Sequence, residues 1–99
     1  MKNDLKNIRT KLRKELPKLR SEFYVNSLEI FGSFVRNEQT ADSDLDILVT
    51  FSQAPSLFKF IELEEYLSGI LGIKVDLVMK SSLKPHIGKR IISEAKSIL

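Results

Sequence analysis

Two aspartates, Asp44 and Asp46, stand at the start of an apolar run and are the first residues in the sequence whose spacing suggests chemistry. Side chains on a β-strand alternate between its faces, so a strand here would project both carboxylates the same way, roughly 6.6 Å apart at about 3.3 Å per residue. Leu45, Ile47 and Val49 would point to the opposite face, into a core. Because like charges beside apolar surroundings repel each other and resist desolvation, the pattern predicts a bound cation.

A third aspartate, Asp76, lies in the later apolar segment KVDLVM, between Val75 and Leu77, which should face the core. If this segment forms a strand beside the one that carries Asp44 and Asp46, the three carboxylates converge. Magnesium suits such a site, because it takes a few carboxylate oxygens and completes its shell with water and substrate phosphates. Three carboxylates can hold two such ions about 3.5 to 4 Å apart, the arrangement used for in-line displacement at phosphorus. The predicted substrate is therefore a triphosphate that is attacked by a hydroxyl.

Residues that could grip the phosphates precede the aspartates. Gly32 ends a predicted strand, where the lack of a Cβ lets the backbone approach a phosphate, and N–H groups at the start of a following helical turn favour an anion. Ser33 adds a hydroxyl donor, and Arg36 could reach a phosphate oxygen or the leaving pyrophosphate. Gly32, Ser33 and Arg36 are therefore the candidate nucleotide-binding residues.

The aspartate pair also has a simpler interpretation. Asp44 and Asp46 taken alone are typical of a polar turn that enters a strand. The Gly-Ser pair before them and Asp76 after them favour the metal site instead. Asp42 has the same parity, but its setting in TADS indicates a turn or a helix cap, so it is left out of the predicted ligands.

Two other ion and phosphate motifs do not fit. An EF-hand loop that started at Asp42 would have Ile47 at its required glycine and Gln53 at its terminal glutamate. A P-loop that started at Gly32 would have Asn37 at its second glycine, and no Gly-Lys-Ser/Thr follows.

Composition limits the remaining classes. The 99 residues, 42% hydrophobic and 29% charged, predict one domain spanning residues 1–99. Cysteine is absent and His86 is the only histidine, which excludes a disulfide framework, a thiol nucleophile and a multi-histidine metal site. His86 is interpreted as a surface or capping residue. The chain shows no signal-peptide pattern and no membrane-length apolar run, so a cytoplasmic location is expected.

The predicted elements follow the order helix, strand, strand, helix, strand, helix. The fold class is α+β, a small mixed sheet of three to four strands flanked by helices. The first helix, over residues 3–15, breaks at Pro17, and a short helical piece follows over Leu19, Phe23 and Tyr24. The strands are expected at SLEIFGS, DLDILVTF and IKVDLVM. The next helix begins after Ser56 as its N-cap and ends at Gly72, and the last helix carries Ile87, Ile91, Ala95 and Ile98 on one stripe.

With these motifs in place, the chain resembles the DNA polymerase β-like nucleotidyltransferase superfamily, whose pattern is a Gly-Ser, an Asp-x-Asp and a third Asp on a later strand. The segments GSFVR, SDLDILV and KVDLVM resemble those of the minimal nucleotidyltransferases, MntA-like proteins that are often paired with HEPN-domain toxins. The likeness runs over nearly the whole chain. One departure is Asn37, where many relatives have glycine, and asparagine tolerates the left-handed conformation better than most residues.

The resemblance implies a role for each motif residue. Gly32 and Ser33 would bind the triphosphate, and Asp44 and Asp46 would bind magnesium. Asp76 would hold the catalytic ion and orient or deprotonate the acceptor. The implied reaction transfers AMP from ATP to a hydroxyl, which in MntA-like members is a tyrosine of the partner HEPN toxin.

Other functions remain open at this point. The chain could neutralise a partner by masking it, with catalysis secondary or lost, or it could modify a nucleic-acid hydroxyl. The basic helix at residues 6–20 could contact nucleic acid, although a solvated or partner-docking face is favoured. A chain this short has little surface to enclose a base, so selectivity is expected to be loose or completed by a partner or second subunit. Exposed apolar residues on the helix after Ser56 or on the last helix would mark that interface.

Overall fold

The computed structural model describes residues 5–36, 38, 40, 42–83 and 85–98, with residues 85–87 described by their backbone. Helix α1 spans Leu5–Lys14 and helix α2 spans Leu16–Phe23, so the interruption falls at Glu15, and Pro17 lies in the first turn of the second helix, where the helix restarts. Tyr24, which was expected in the second helical piece, instead adopts a left-handed φ of 57° and ends α2 as its C-cap, with its N–H donating to the Leu19 carbonyl.

Within the described residues, four strands form one mixed sheet in the order β3-β2-β1-β4. Strands β1 (Val25–Phe31), β2 (Leu45–Phe51) and β3 (Val75–Met79) correspond to the three predicted strands. β1 and β2 pair antiparallel, whereas β2 and β3 pair parallel. A parallel pair needs a long crossover, and helix α3 (Leu57–Leu71) supplies it. The α+β fold with a mixed four-stranded sheet matches the prediction.

Helix α3 has the predicted ends. The Ser56 hydroxyl accepts a hydrogen bond from the Lys59 N–H at 3.1 Å, which satisfies one of the free donors of the first turn. Gly72 closes the helix at a φ of 68°, a conformation that suits glycine.

The end of the chain differs from the prediction. Helix α4 spans Pro85–Glu94, so Ala95 and Ile98 lie outside it and the expected stripe through them was wrong. Lys96–Ser97 forms β4 against β1, and the Ile98 N–H donates to the Leu28 carbonyl at 3.0 Å. The spacing of apolar residues could not reveal this, because the open edge of β1 offers backbone partners that no periodicity encodes. Ile98 enters the core, where 2% of its surface is exposed.

The core fills one face of the sheet. Buried side chains of α1, α2 and α3 pack there against the inward residues of the strands; the cluster includes Ile8, Leu12, Leu19, Phe23, Leu28, Ile30, Leu45, Ile47, Val49, Leu63, Leu67, Leu71, Val75, Leu77 and Ile98. Leu45, Ile47, Val49, Val75 and Leu77 therefore face the core as predicted. The aspartates between them must project from the other face. In the part of the chain that is described, no helix has the length and apolar character to cross a bilayer.

Candidate active site

Asp46 and Asp76 meet on the outer face of the sheet. The parallel register of β2 and β3 pairs these two residues directly, so their side chains leave neighbouring strands on the same side. Partial burial, followed by the charges of Asp76 and Asp44, raises the pKa of Asp46 to about 6, and a hydrogen bond with the Asp76 side chain acts in the same direction. Arg36 opposes this shift. The Asp76 carboxyl thus lies close enough to Asp46 to disfavour the charge of that residue.

Asp44 stands at the edge of this pair. It was expected to open the strand, but β2 begins at Leu45, whose N–H donates to the Lys74 carbonyl at 2.8 Å. Asp44 is exposed, and its charge is near enough to Asp46 to raise the pKa of that carboxyl. Within the described residues, no three acidic or histidine side chains are gathered closely enough to hold a cation alone.

Gly32 lies directly against the Asp46 carboxylate. It follows Phe31, the strand partner of Asp46, and takes a φ of 82° that few other residues adopt. A Cβ at this position would overlap the Asp46 Oδ2 atom and would lie 3.2 Å from its Cγ. Both the backbone conformation and the contact therefore require glycine.

A short 3₁₀ turn, Gly32–Phe34, follows β1, so a helical turn follows the strand as expected, with Gly32 as its first residue. The Val35 and Arg36 N–H groups donate to the Gly32 carbonyl at 3.1 and 3.2 Å. Ser33 is half-buried, and its hydroxyl has no protein partner among the described residues. Asn37, which occupies the departure from the family pattern, lies outside those residues, as does the side chain of His86.

Arg36 joins this turn to the end of the last helix. Its Nε donates to Glu38 at 2.9 Å, and its Nη1 donates to Glu94 of α4 at 2.8 Å. The guanidinium also lies near enough to Asp46 to lower the pKa of that residue. The predicted phosphate-binding arginine therefore stands beside the carboxylates but holds two acidic partners.

Another ion pair lies on the same face of the sheet, and none of the sequence motifs indicates it. Lys80 Nζ is 3.3 Å from Glu29 Oε1. Glu29 pairs with Leu48, two residues along β2 from Asp46, so Glu29 and Asp46 share a face. In the sequence, Glu29 alternates with the apolar residues Leu28 and Ile30, and this pattern predicts that Glu29 faces away from the core. The outer face of the sheet thus carries the Asp46 and Asp76 carboxyls and, next to them, the ion pair of Lys80 with Glu29.

The carboxylates can be tested against a magnesium ion by their chemistry. All the clustered ligands are oxygens, which suits a hard cation. Asp46 and Asp76 are in contact, so a divalent ion between them would relieve the repulsion that raises the pKa of Asp46. Magnesium commonly binds one or two carboxylates and takes its other ligands from water and phosphates, so a pair with Asp44 nearby fits it.

The fold and this face define a nucleotidyltransferase. The nucleotidyltransferase domain model matches residues 9–98, and the chain belongs to that family, whose members are transferases of nucleotidyl groups. Individual relatives align with most of the chain. A Thermococcus cleftensis protein named protein adenylyltransferase MntA is 54% identical over 91 residues, which cover 92% of this chain and 89% of the relative.

Solved structures share the fold. One described as a minimal nucleotidyltransferase matches with a TM-score of 0.77 at 33% identity, and the match covers 94% of each chain. A chain from the complex of a tri-AMPylated Shewanella oneidensis HEPN toxin with an MNT antitoxin matches with a TM-score of 0.70. That match has 21% identity and covers 96% of this chain and 71% of the other. At this identity the likeness concerns the fold.

Proposed function

We propose that this nucleotidyltransferase transfers AMP from ATP to a hydroxyl and depends on Mg²⁺. The observation that carries the proposal is the direct pairing of Asp46 and Asp76 across β2 and β3, beside Gly32, whose positive φ and close approach to Asp46 only glycine accommodates. The MntA relative, at 54% identity, supports adenylyl rather than another nucleotidyl transfer. Residues 1–99 are proposed to act as a single domain.

The proposed reaction is an in-line displacement at the α-phosphorus of ATP. A bond forms between the acceptor oxygen and the α-phosphorus, the bond to the bridging oxygen breaks, and pyrophosphate leaves with those electrons. Asp44, Asp46 and Asp76 are assigned to hold two Mg²⁺ ions, which when bound neutralise the triphosphate and acidify the hydroxyl. Asp76 orients the acceptor and receives its proton.

Gly32, Ser33 and Arg36 are assigned to the phosphates. Gly32 places the start of the turn against the Asp46 carboxylate, and the Ser33 hydroxyl is available for a phosphate oxygen. Arg36 has an exposed guanidinium next to Asp46 and must exchange an acidic partner to reach the pyrophosphate. This assignment makes the affinity for ATP sensitive to Glu38 and Glu94.

The proposed acceptor is a tyrosine of a HEPN-domain toxin, and the chain is then the antitoxin of a pair. Support comes from the relative's name as a protein adenylyltransferase and from the shared fold of the MNT antitoxin complex. Exposed apolar side chains stand on α3, as expected for an interface: Leu57 is 70% exposed and Phe58 is 84% exposed.

Label transfer tests the reaction. The chain is incubated with α-labelled ATP, Mg²⁺ and the purified protein encoded by the adjacent gene, and the label is traced to tyrosine by peptide mass spectrometry. The double variant Asp44→Asn, Asp46→Asn should lose transfer, and chelation of the metal should do the same. Asp42→Asn is the matched control, because Asp42 lies in the preceding exposed turn. Equal transfer by the double variant, or none by the wild type, contradicts the proposal.

The exposed apolar side chains of α3 also favour a second function, which is neutralisation by masking. In that case the chain binds its partner whether or not it modifies it. Protection of cells from the partner by the double carboxylate variant would support masking. Loss of protection in Phe58→Ser, with label transfer to a free peptide retained, would separate the binding surface from the chemistry.

A further inference from the structure

Strand β3 lies at an edge of the sheet, with β2 on one side only. Residues of an edge strand whose N–H groups point outward have no strand partner. In β3, two side chains of α3 satisfy these groups. The Val75 N–H donates to the Ser68 hydroxyl at 3.0 Å, and the Leu77 N–H donates to Glu64 Oε2 at 2.9 Å.

The two acceptors are themselves fixed. Glu64 and Ser68 are one helical turn apart on α3, and the Ser68 hydroxyl donates to the Glu64 carbonyl at 2.9 Å. This bond orients the lone pair that receives the Val75 N–H. Both side chains are half-buried between α3 and the edge of the sheet, where they exchange less freely with water than at an exposed position. The helix therefore holds the backbone of β3 at two points.

These two points flank Asp76. Val75 and Leu77 are its immediate neighbours, and Asp76 itself faces the site on the other side of the sheet. A shift of the strand, or a rotation about its axis, would move the Asp76 carboxylate relative to Asp46. Pairing with β2 opposes such a movement from one side, and the bonds to Glu64 and Ser68 oppose it from the other. A rigid position matters here because a displacement of about 1 Å can lower a rate roughly a hundredfold.

We propose that Glu64 and Ser68 are positioning residues that fix Asp76 for metal binding and nucleotidyl transfer by holding β3 through the Val75 and Leu77 N–H groups. The inference rests on the proposed function. It assigns two residues of the helix on the core side of the sheet to the reaction, although neither touches the substrate. In this role Glu64 acts through an acceptor oxygen for the Leu77 N–H, and its negative charge is not required.

Kinetics give the first test. Glu64→Leu keeps the bulk of the side chain and removes the acceptor, and Glu64→Gln keeps a carbonyl oxygen. We expect Glu64→Leu to lower kcat about tenfold or more, with KM for ATP changed less than about threefold, and Glu64→Gln to restore most of the loss. Ser68→Ala, a smaller change, should lower kcat in the same way. Glu65→Leu, on the exposed side of the same helix, is the control and should keep wild-type kcat.

A second measurement does not depend on turnover. In ¹H–¹⁵N spectra, Mn²⁺ in place of Mg²⁺ should broaden the Asp46 and Asp76 amides of the wild type. Glu64→Leu should weaken the Mn²⁺ affinity and accelerate hydrogen exchange at Val75 and Leu77. Glu64→Gln should leave both close to wild type.

The outcomes separate this inference from the proposed function. If the wild type shows the Mn²⁺ effects and their dependence on Glu64 but transfers no label, the proposed function is wrong, and the positioning of Asp76 for metal binding stands. If Glu64→Leu exchanges faster at Leu77 but keeps wild-type kcat and Mn²⁺ affinity, the positioning role is overturned. Equal losses in Glu64→Leu and Glu64→Gln overturn it as well. If Glu64→Leu does not fold, the same measurements are made on Ser68→Ala. Lower kcat and weaker Mn²⁺ affinity in that variant support the positioning role, and wild-type values with faster exchange at Val75 overturn it.

Discussion

Asp46 of β2 and Asp76 of β3 are direct partners in a parallel register, and their side chains lie on the face of the sheet opposite the core. The folded chain thus maintains a repulsive pair in a partly buried place. Such a pair persists in natural sequences at functional sites, where a ligand compensates for the strain. Its effects on stability and on ligand binding can be measured separately.

Stability should depend on pH through Asp46. Its folded pKa of about 6 lies above the ordinary value of 3.8, so the folded chain holds this proton more tightly than the unfolded chain does. The contribution of Asp46 to the free energy of unfolding therefore falls as the pH rises from 3.8 to about 6, and the penalty is complete above that window. Asp46→Asn should raise the free energy of unfolding by about 1 kcal/mol at pH 7.5 without metal, after allowance for solvent screening.

Urea denaturation in chelator at pH 7.5 and pH 3.5 checks this expectation. Most of the gain from Asp46→Asn should disappear at the lower pH, because the folded wild type is then protonated at this position and the unfolded wild type is mostly protonated. The control variant Asp42→Asn should change the free energy of unfolding by the same amount at pH 7.5 and at pH 3.5. A gain of the same size at pH 3.5 would show that the effect does not come from this titration.

Gly32→Ala should damage both stability and the site. The new Cβ collides with the Asp46 carboxylate, and a φ of 82° is unfavourable for a residue with a Cβ. We therefore expect the free energy of unfolding to fall by about 1 to 3 kcal/mol. Transfer should fall at least about tenfold, because the collision displaces a proposed metal ligand. Gly72→Ala is the matched control, since Gly72 has a similar φ of 68° with open space around its Cβ position. Gly72→Ala should lower the free energy of unfolding by about 1 kcal/mol and keep wild-type transfer activity.

Arg36 should be more available for ATP when Glu94 no longer holds it. Glu94→Gln removes one of its two carboxylate partners at 2.8 Å, and we expect KM for ATP to fall about threefold at low salt. Arg36→Gln should raise KM about tenfold. Both pairs are exposed, so neither variant should change stability by more than about 1 kcal/mol. Initial rates at varied ATP and two salt concentrations give the comparison, and an increase in KM in Glu94→Gln would mean that Glu94 orients the arginine for phosphate.

The last residues of the chain should contribute strongly to folding. Ile98 is 2% exposed and belongs to the core, so Ile98→Ala should lower the free energy of unfolding by about 2 to 4 kcal/mol. Ile92 on α4 is 45% exposed, and Ile92→Ala should change it by less than about 1 kcal/mol. Thermal and urea unfolding of the two variants test the difference. Equal effects would argue against the pairing of β4 with β1.

The carboxylates could be predicted from sequence because alternation along a strand is a local property. Asp46 and Asp76 each sit between core residues, and the order of the elements made neighbouring strands a reasonable expectation. Contacts between distant segments are different in kind. Nothing near Arg36 in the sequence indicates Glu94, which is 58 residues away, and nothing near Leu77 indicates the Glu64 acceptor on the preceding helix.

The chain end shows the same limit. Ile91, Ala95 and Ile98 recur at helical spacing, yet the chain leaves the helix at Glu94 and joins the edge of β1. The edge provides carbonyl and N–H partners, and the core provides a place for Ile98. Both are tertiary effects that override the local pattern.

Adjacent positions of β2 serve opposite faces, since Leu45 and Ile47 enter the core while Asp46 points outward. Replacing any one of these side chains affects one face. Inserting or deleting a single residue in the strand would reverse every side chain beyond it, directing the carboxylate into hydrocarbon and the aliphatic groups into water. Natural variation in this segment should therefore consist of exchanges at constant length, and length changes should collect in the connection before it.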